Sequence, residues 1–156
     1  MMAELMGCHP FDAWAGGCVR KRCPRVVQGP ALLLKRNLLF VVDDDPGMLR
    51  GVQRLLREHG YDSLSFASAD AFQKHDDFDQ AICVVLDIDL NGDSGIVVRR
   101  RLKAAGISLP VIYITGKDNP ATRVAAVQSG CLAYLTKPFA AKSLIESIAR
   151  ASGGLA

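Results

Sequence analysis

The sequence predicts an α/β fold in which helices cover both faces of a parallel five-stranded sheet. Five short β-rich runs alternate along the chain with five stretches of helical periodicity. Four of these runs are apolar throughout, as expected for strands that are buried on both faces. Because parallel strands need crossover connections, the alternation predicts a doubly wound sheet with five helices. The chain has 156 residues, about the length of one domain.

The predicted strands comprise four strong runs and a weaker one. The strong runs are Leu38–Val42, Ala81–Leu86, Val111–Ile114 and Leu132–Leu135. The weaker run, Ser63–Phe66, is expected at an edge of the sheet.

The predicted helices are marked by apolar faces and by start and stop signals. Pro46 begins the first helix and Gly60 ends it. Ser68 caps a short second helix over Ala69–Lys74. The other apolar faces are Val98, Leu102 and Ala105 in the third helix, Val124 and Val127 in the fourth, and Leu144, Ile145 and Ile148 in the last.

Charge divides the chain into two parts. Residues 1–36 contain six basic and two acidic residues, a net charge of +4, so the other 120 residues carry −1 of the total of +3. Residues 1–36 lack a period of 2 or 3.6, and we interpret them as a basic, disordered tail. Residues 37–156 then form the folded domain, whose charge gives no reason to expect a nucleic-acid surface.

Cysteine usage and apolar runs indicate the compartment. Cys18 and Cys23 could be proposed as zinc ligands, but their spacing is not that of structural zinc sites. The odd number of five cysteines argues against a disulfide framework. The longest apolar run, Ala81–Leu86, is far shorter than the ~20 residues of a membrane helix. The sequence therefore predicts a cytoplasmic protein with no membrane segment.

Polar residues follow the four apolar strands, at the edge where open α/β sheets bind ligands. They are Asp43, Asp44 and Asp45 after the first strand, Asp87 and Asp89 after the third, Thr115 after the fourth, and Thr136 and Lys137 after the fifth. Crowded carboxylates raise one another's pKa, and Mg²⁺, which prefers oxygen ligands, relieves that repulsion. Magnesium leaves room for a phosphoryl group, and a carboxylate beside it can act as a nucleophile. The pattern therefore predicts phosphoryl transfer to an aspartate.

Taken together, these motifs resemble the receiver domain of two-component response regulators, the CheY-like family. The matching segments are Val42-Asp43-Asp44-Asp45-Pro46, Leu86-Asp87 with Ser94-Gly95, Ile114-Thr115-Gly116, and Tyr134-Leu135-Thr136-Lys137-Pro138-Phe139. The resemblance covers residues 37 to about 152. It implies a flavodoxin-like sheet with strand order 2-1-3-4-5.

The resemblance also implies a role for each matching residue. Asp87 is the expected phospho-acceptor, and Thr115 and Lys137 are expected to contact the phosphoryl group. Tyr134 and Thr115 are the expected switch residues. The expected Mg²⁺ ligands are Asp43, Asp44, Asp87 and the backbone carbonyl of Asp89.

The family implies two kinds of protein partner. A sensor histidine kinase or a phosphotransfer protein would donate the phosphoryl group, and an unknown downstream protein would bind the face formed by helix four, strand five and helix five. The element spacings resemble receivers of nitrogen-fixation type transcription regulators, which carry a DNA-binding domain after the receiver. We expect here a single-domain switch that is not an enzyme and does not bind DNA specifically.

Three alternatives use the same residues. The first is a phosphatase of the haloacid dehalogenase class, in which Asp87 and Asp89 would form the Asp-x-Asp motif. The second is a calcium loop that starts at Asp87, although its twelfth position is Val98 where a glutamate is required. The third is a receiver-like binding module that is not phosphorylated.

Two features of the site loops carry expectations of their own. The family often has Met-Pro where this chain has Leu90-Asn91, which predicts a more mobile loop after the acceptor. Asp89 and Lys117 lie two residues beyond Asp87 and Thr115, and we expect them to form an ion pair over the phosphoryl group.

Overall fold

The computed structural model describes residues 37–154. In chain order its main elements are β1 (Leu38–Val42), α1 (Pro46–Glu58), β2 (Asp62–Phe66), α2 (Ala69–Gln73), β3 (Cys83–Asp87), α3 (Gly95–Ala104), β4 (Val111–Thr115), α4 (Pro120–Gln128), β5 (Ala133–Thr136) and α5 (Ala141–Gly154). A short hairpin between β3 and α3 pairs Asp89–Leu90 with Asp93–Ser94. The five predicted strands and five predicted helices are therefore all present. The predictions for residues 1–36, including the zinc ligands, lie outside the described residues.

The sheet is parallel throughout, and its strand order is β2-β1-β3-β4-β5, which confirms the predicted order. β2 and β5 are the edge strands. β1 pairs with β2 on one side and with β3 on the other. After β2 the chain crosses over β1 to form β3, so the strand order reverses direction between β1 and β3. The carboxyl ends of these two strands flank the crevice where ligands bind in such sheets.

Side chains alternate between two apolar layers, one on each face of the sheet. Phe40 and Val42 of β1 pack with α2, α3 and α4 on one face, where Phe72, Val98, Leu102 and Ala126 are buried. Leu39 and Val41 pack with α1 and α5 on the other face, where Val52, Leu56, Leu144 and Ile148 are buried. Because both faces are covered, the central strands are apolar on both sides, as their sequences predict.

The apolar face predicted for α4 is wrong. Val124 and Val127 are 54% and 63% exposed, whereas Ala126 is fully buried. Ala125 also packs against the core. The alanine face, with its small side chains, packs against the core, so the two valines point outward. Within residues 37–154, no helix combines the length and apolarity that crossing a membrane requires.

Candidate functional site

Three strand ends bring candidate residues together because β1, β3 and β4 are neighbours in the sheet. Asp43 follows β1, Asp87 ends β3 and Thr115 ends β4. Their exposed fractions are 0%, 3% and 0%. Buried polar and charged groups need partners, so the contacts of these residues determine the chemistry of the site.

Asp43, Asp44 and Asp87 form a carboxylate cluster at this edge. One carboxylate oxygen from each residue lies within 4.8 Å of the others. Asp43 Oδ1 accepts a hydrogen bond from the backbone N–H of Asp45 at 2.9 Å, and Asp87 Oδ1 accepts one from the N–H of Asp89 at 3.1 Å. Backbone amides therefore fix the orientation of the two buried carboxylates.

Lys137 joins the two buried carboxylates through their other oxygens. Its Nζ donates to Asp43 Oδ2 at 3.0 Å and to Asp87 Oδ2 at 3.3 Å. Burial alone would lower the pKa of Lys137, but the hydrogen bond to Asp43 and the negative charges of Asp87 and Asp43 raise it overall. The side chain is therefore a cation at neutral pH. Lys137 lies 94 residues from Asp43 in the sequence, and the fold brings the two side chains together.

Asp87 is the carboxyl group whose protonation the fold alters most clearly. Burial, followed by the negative charge of Asp43, raises the pKa of Asp87 to about 6. The N–H of Asp89 and the charge of Lys137 act in the opposite direction but do not cancel these effects. One lysine thus leaves the cluster with excess negative charge, which a bound cation would relieve.

Thr115 completes the buried part of the site. Its Oγ1 accepts a hydrogen bond from the backbone N–H of Lys117 at 3.0 Å. Its backbone carbonyl accepts from the N–H of Lys137 at 2.7 Å, which fixes the two strand ends relative to each other. A threonine hydroxyl that accepts through oxygen can still donate its proton to a further group.

Asp89 lies in the hairpin after β3, with its side chain exposed and its backbone attached to Asp87. The loop after Asp87, which the sequence predicts to be more mobile, is a hairpin closed by an Asn-Gly turn, whose backbone preference favours a two-residue hairpin. The ion pair predicted between Asp89 and Lys117 is absent from the described part of the chain. Both residues line an open cleft of about 690 Å³, which extends from the carboxylate cluster towards α4.

Tyr134 of β5 is held by two residues that the sequence reasoning missed. Its hydroxyl donates to Asp118 Oδ1 at 2.9 Å, and the Arg123 guanidinium lies 5.1 Å from its ring centroid. Arg123 also forms an ion pair with Asp118. Burial and the hydrogen bond to Asp118 raise the pKa of Tyr134 to about 12. A sequence signal existed, because Asn119-Pro120 predicts a helix start that places Asp118 just before α4 and Arg123 in its first turn.

Comparisons with known proteins agree with this fold. The sequence model of one protein family, the response regulator receiver domain, matches residues 39–149 of this chain. Nodulation protein W of Bradyrhizobium diazoefficiens is 33% identical over 117 residues, which cover 75% of this chain and 52% of that protein. The chain spans about half the length of the curated relatives it matches first.

Two solved structures show the same likeness. A response regulator receiver protein from Burkholderia phymatum is 36% identical and superposes with a TM-score of 0.62 over 74% of this chain and 94% of that one. One from Pseudoalteromonas atlantica is 25% identical, with a TM-score of 0.72 over 76% of this chain and 99% of that one.

The chain belongs to the response regulator receiver family of two-component systems, whose members are signalling switches rather than classical enzymes. This membership excludes the haloacid dehalogenase alternative. The calcium-loop alternative is also wrong, because a strand precedes Asp87 and Val98 is fully buried in α3.

Proposed function

We propose that this protein accepts a phosphoryl group on Asp87, with Mg²⁺, from a sensor histidine kinase or a phosphotransfer protein. The observation that carries the proposal is the position of the Asp87 carboxylate, which lies between the acidic pair Asp43 and Asp44 and the amine of Lys137. An unphosphorylated binding module would have no need to bury this charge, which the fold destabilises at neutral pH.

The donor set fits a magnesium ion. The carboxylates of Asp43, Asp44 and Asp87 are all oxygen donors, and the backbone carbonyl of Asp89 would add a fourth oxygen. The raised pKa of Asp87 agrees with this fit, because Lys137 alone leaves the cluster with excess negative charge. A bound Mg²⁺ would supply electrostatic stabilisation of the carboxylates and the phosphoryl oxygens.

Asp87, Lys137 and Thr115 would each have a defined role in the transfer. A carboxylate oxygen of Asp87 would form a bond to phosphorus while the P–N bond of the donor phosphohistidine breaks, and the imidazole nitrogen would keep the electron pair. Lys137 Nζ would then contact a phosphoryl oxygen in place of Asp87 Oδ2. The Thr115 hydroxyl, whose oxygen accepts from the N–H of Lys117, would donate its proton to another phosphoryl oxygen.

The signal would leave the site through the β4–α4 loop. Thr115 begins this loop, and Asp118 within it contacts Tyr134 of β5. Movement of Thr115 would therefore alter the surface of α4, β5 and α5, where Val124 and Val127 are exposed. We propose that a downstream protein binds this surface, and that the domain does not bind DNA specifically.

Intact-mass measurement after incubation with acetyl phosphate and Mg²⁺ tests the acceptor. We expect one added phosphoryl group on the wild type, none on Asp87→Asn, and one on Asp45→Asn. Asp45 is a matched control, because it is an exposed carboxylate beside the site that caps α1 through the N–H of Gly47. A single added group that persists in Asp87→Asn would show that Asp87 is not the acceptor.

A further inference from the structure

The segment between Asp87 and α3 is a closed hairpin rather than an open loop. Asp89 pairs with Ser94, and Leu90 pairs with Asp93, in antiparallel register. The turn residues Asn91 and Gly92 have φ angles of +46° and +93°. Two consecutive positive φ angles are the signature of a type I′ turn, whose twist matches that of the paired strands.

The hairpin is fixed to the domain at both ends. Leu90 is 2% exposed and belongs to the core beneath α3. The N–H of Gly95 donates to the carbonyl of Ile88 at 2.9 Å. A Cβ atom at Gly95 would lie 2.3 Å from the carbonyl oxygen of Asp87, so the start of α3 lies close against the peptide group of Asp87 and leaves no room for a side chain. The hairpin therefore has few ways to move without moving Asp87.

Asn91 contributes to this arrangement through its backbone. Its side chain is exposed, and in the described part of the chain it forms no hydrogen bond. Asparagine tolerates the left-handed region better than other residues with a Cβ, and β-branched residues tolerate it least. A change at position 91 can therefore alter the backbone preference of the turn without disturbing side-chain packing.

We propose that the Asn91-Gly92 turn is a positioning element that gives the site its preference for Mg²⁺ over Ca²⁺. Magnesium requires near-ideal octahedral geometry and short metal–oxygen distances, whereas calcium accepts longer distances and irregular geometry. The N–H of Asp89 donates to Asp87 Oδ1, so the start of the hairpin, which also carries the Asp89 carbonyl, orients the carboxylate of Asp87. A rigid arrangement of ligands favours Mg²⁺, whose geometric requirements are stricter than those of Ca²⁺. This inference rests on the proposed magnesium site.

Calorimetric titration of the full chain with Mg²⁺ and, separately, with Ca²⁺ tests the inference. The informative variants are Asn91→Val, which disfavours positive φ, and Asn91→Gly, which permits it. We expect Asn91→Val to bind Mg²⁺ about five- to tenfold more weakly, because only a fraction of molecules keep the competent loop, and to bind Ca²⁺ with less loss. Asn91→Gly should keep the Mg²⁺ preference of the wild type.

Gly106→Ala is the matched control for backbone strain. Gly106 has a φ angle of +83°, follows α3, and lies away from the strand ends that carry the site. We expect it to lower the thermal midpoint of unfolding and to leave the Mg²⁺/Ca²⁺ ratio of affinities unchanged. An unchanged ratio in Asn91→Val would overturn the inference alone. Failure of the wild type to bind Mg²⁺, or equal binding by Asp87→Asn, would instead overturn the proposed function as well.

Discussion

The middle of the sheet and the edge formed by β5 and α4 differ sharply in how they are packed. Every residue of β3 and β4 is buried, whereas every residue of β5 is only half-buried. α4 buries Ala126 and leaves Val124 and Val127 exposed. Asp87, the proposed acceptor, belongs to the first region, and Tyr134 belongs to the second.

Contacts in the two regions differ in the same way. Asp87 accepts hydrogen bonds from the backbone amide of Asp89 and from the half-buried Lys137. Tyr134 is held by Asp118 and Arg123, whose interactions lie at the surface and compete with water. The difference indicates a rigid site beside a region that can rearrange, which suits a switch whose chemistry must stay fixed while its surface changes.

Two glycine-to-alanine changes give the largest expected contrast. Gly95→Ala places a Cβ atom 2.3 Å from the Asp87 carbonyl oxygen, so the backbone must shift, and we expect a loss of about 3 kcal/mol or more in the free energy of unfolding. Gly51→Ala, in α1, would place a Cβ with no atom within 4 Å apart from the adjacent helix backbone, and should raise stability by about 0.5–1 kcal/mol. Urea titrations measure both changes. A mild effect of Gly95→Ala would contradict a rigid backbone around Asp87.

The pH dependence of stability gives the next largest effect. The pKa of Asp87 is about 6 in the folded state against 3.8 as its ordinary value, so the folded chain binds more protons between these pH values. Stability contributed by Asp87 therefore falls as pH rises through this window. Without Mg²⁺, Asp87→Asn should be more stable than the wild type at pH 7.5, by about 1–3 kcal/mol, and the advantage should disappear below pH about 4.

Thermal unfolding in a chelating buffer across that pH range measures the effect. Asp45→Asn, at the neighbouring exposed carboxylate, is the control for general loss of a negative charge. A constant difference between Asp87→Asn and the wild type at all pH values would mean that the pKa of Asp87 is not raised.

The buried region is also the part that the sequence predicts best. Runs such as Leu38–Val42 are apolar because both faces of the sheet are covered. An unbroken apolar run in the sequence therefore predicts a strand that is buried on both faces. The residues that meet at the strand ends could be named because parallel strands deliver their carboxyl ends to one edge. The sheet topology brings the aspartates after β1 close to Lys137 after β5, although Asp43 and Lys137 are 94 residues apart in the sequence.

The α4–β5 edge was predicted less well, for a physical reason. Short helices that contain both valines and alanines have two possible apolar faces, and only the packing against the core selects Ala126 over Val124. The contact of Asp118 with Tyr134 joins the β4–α4 loop to β5 through surface side chains, which no periodicity encodes. In the described residues, Asp89 and Lys117 line one cleft without forming an ion pair, because spacing along the chain does not determine the distance between two side chains.

Hydrogen exchange of the full chain, with and without beryllofluoride and Mg²⁺, tests the division into a fixed site and a responsive edge most directly. Beryllofluoride would stand in for the phosphoryl group that we propose Asp87 accepts. The account predicts that protection changes concentrate in residues 116–136, which comprise the β4–α4 loop, α4 and β5, while β1 and the first four residues of β3 remain as protected as before. Equal changes across all five strands, or changes confined to β1 and β3, would contradict it.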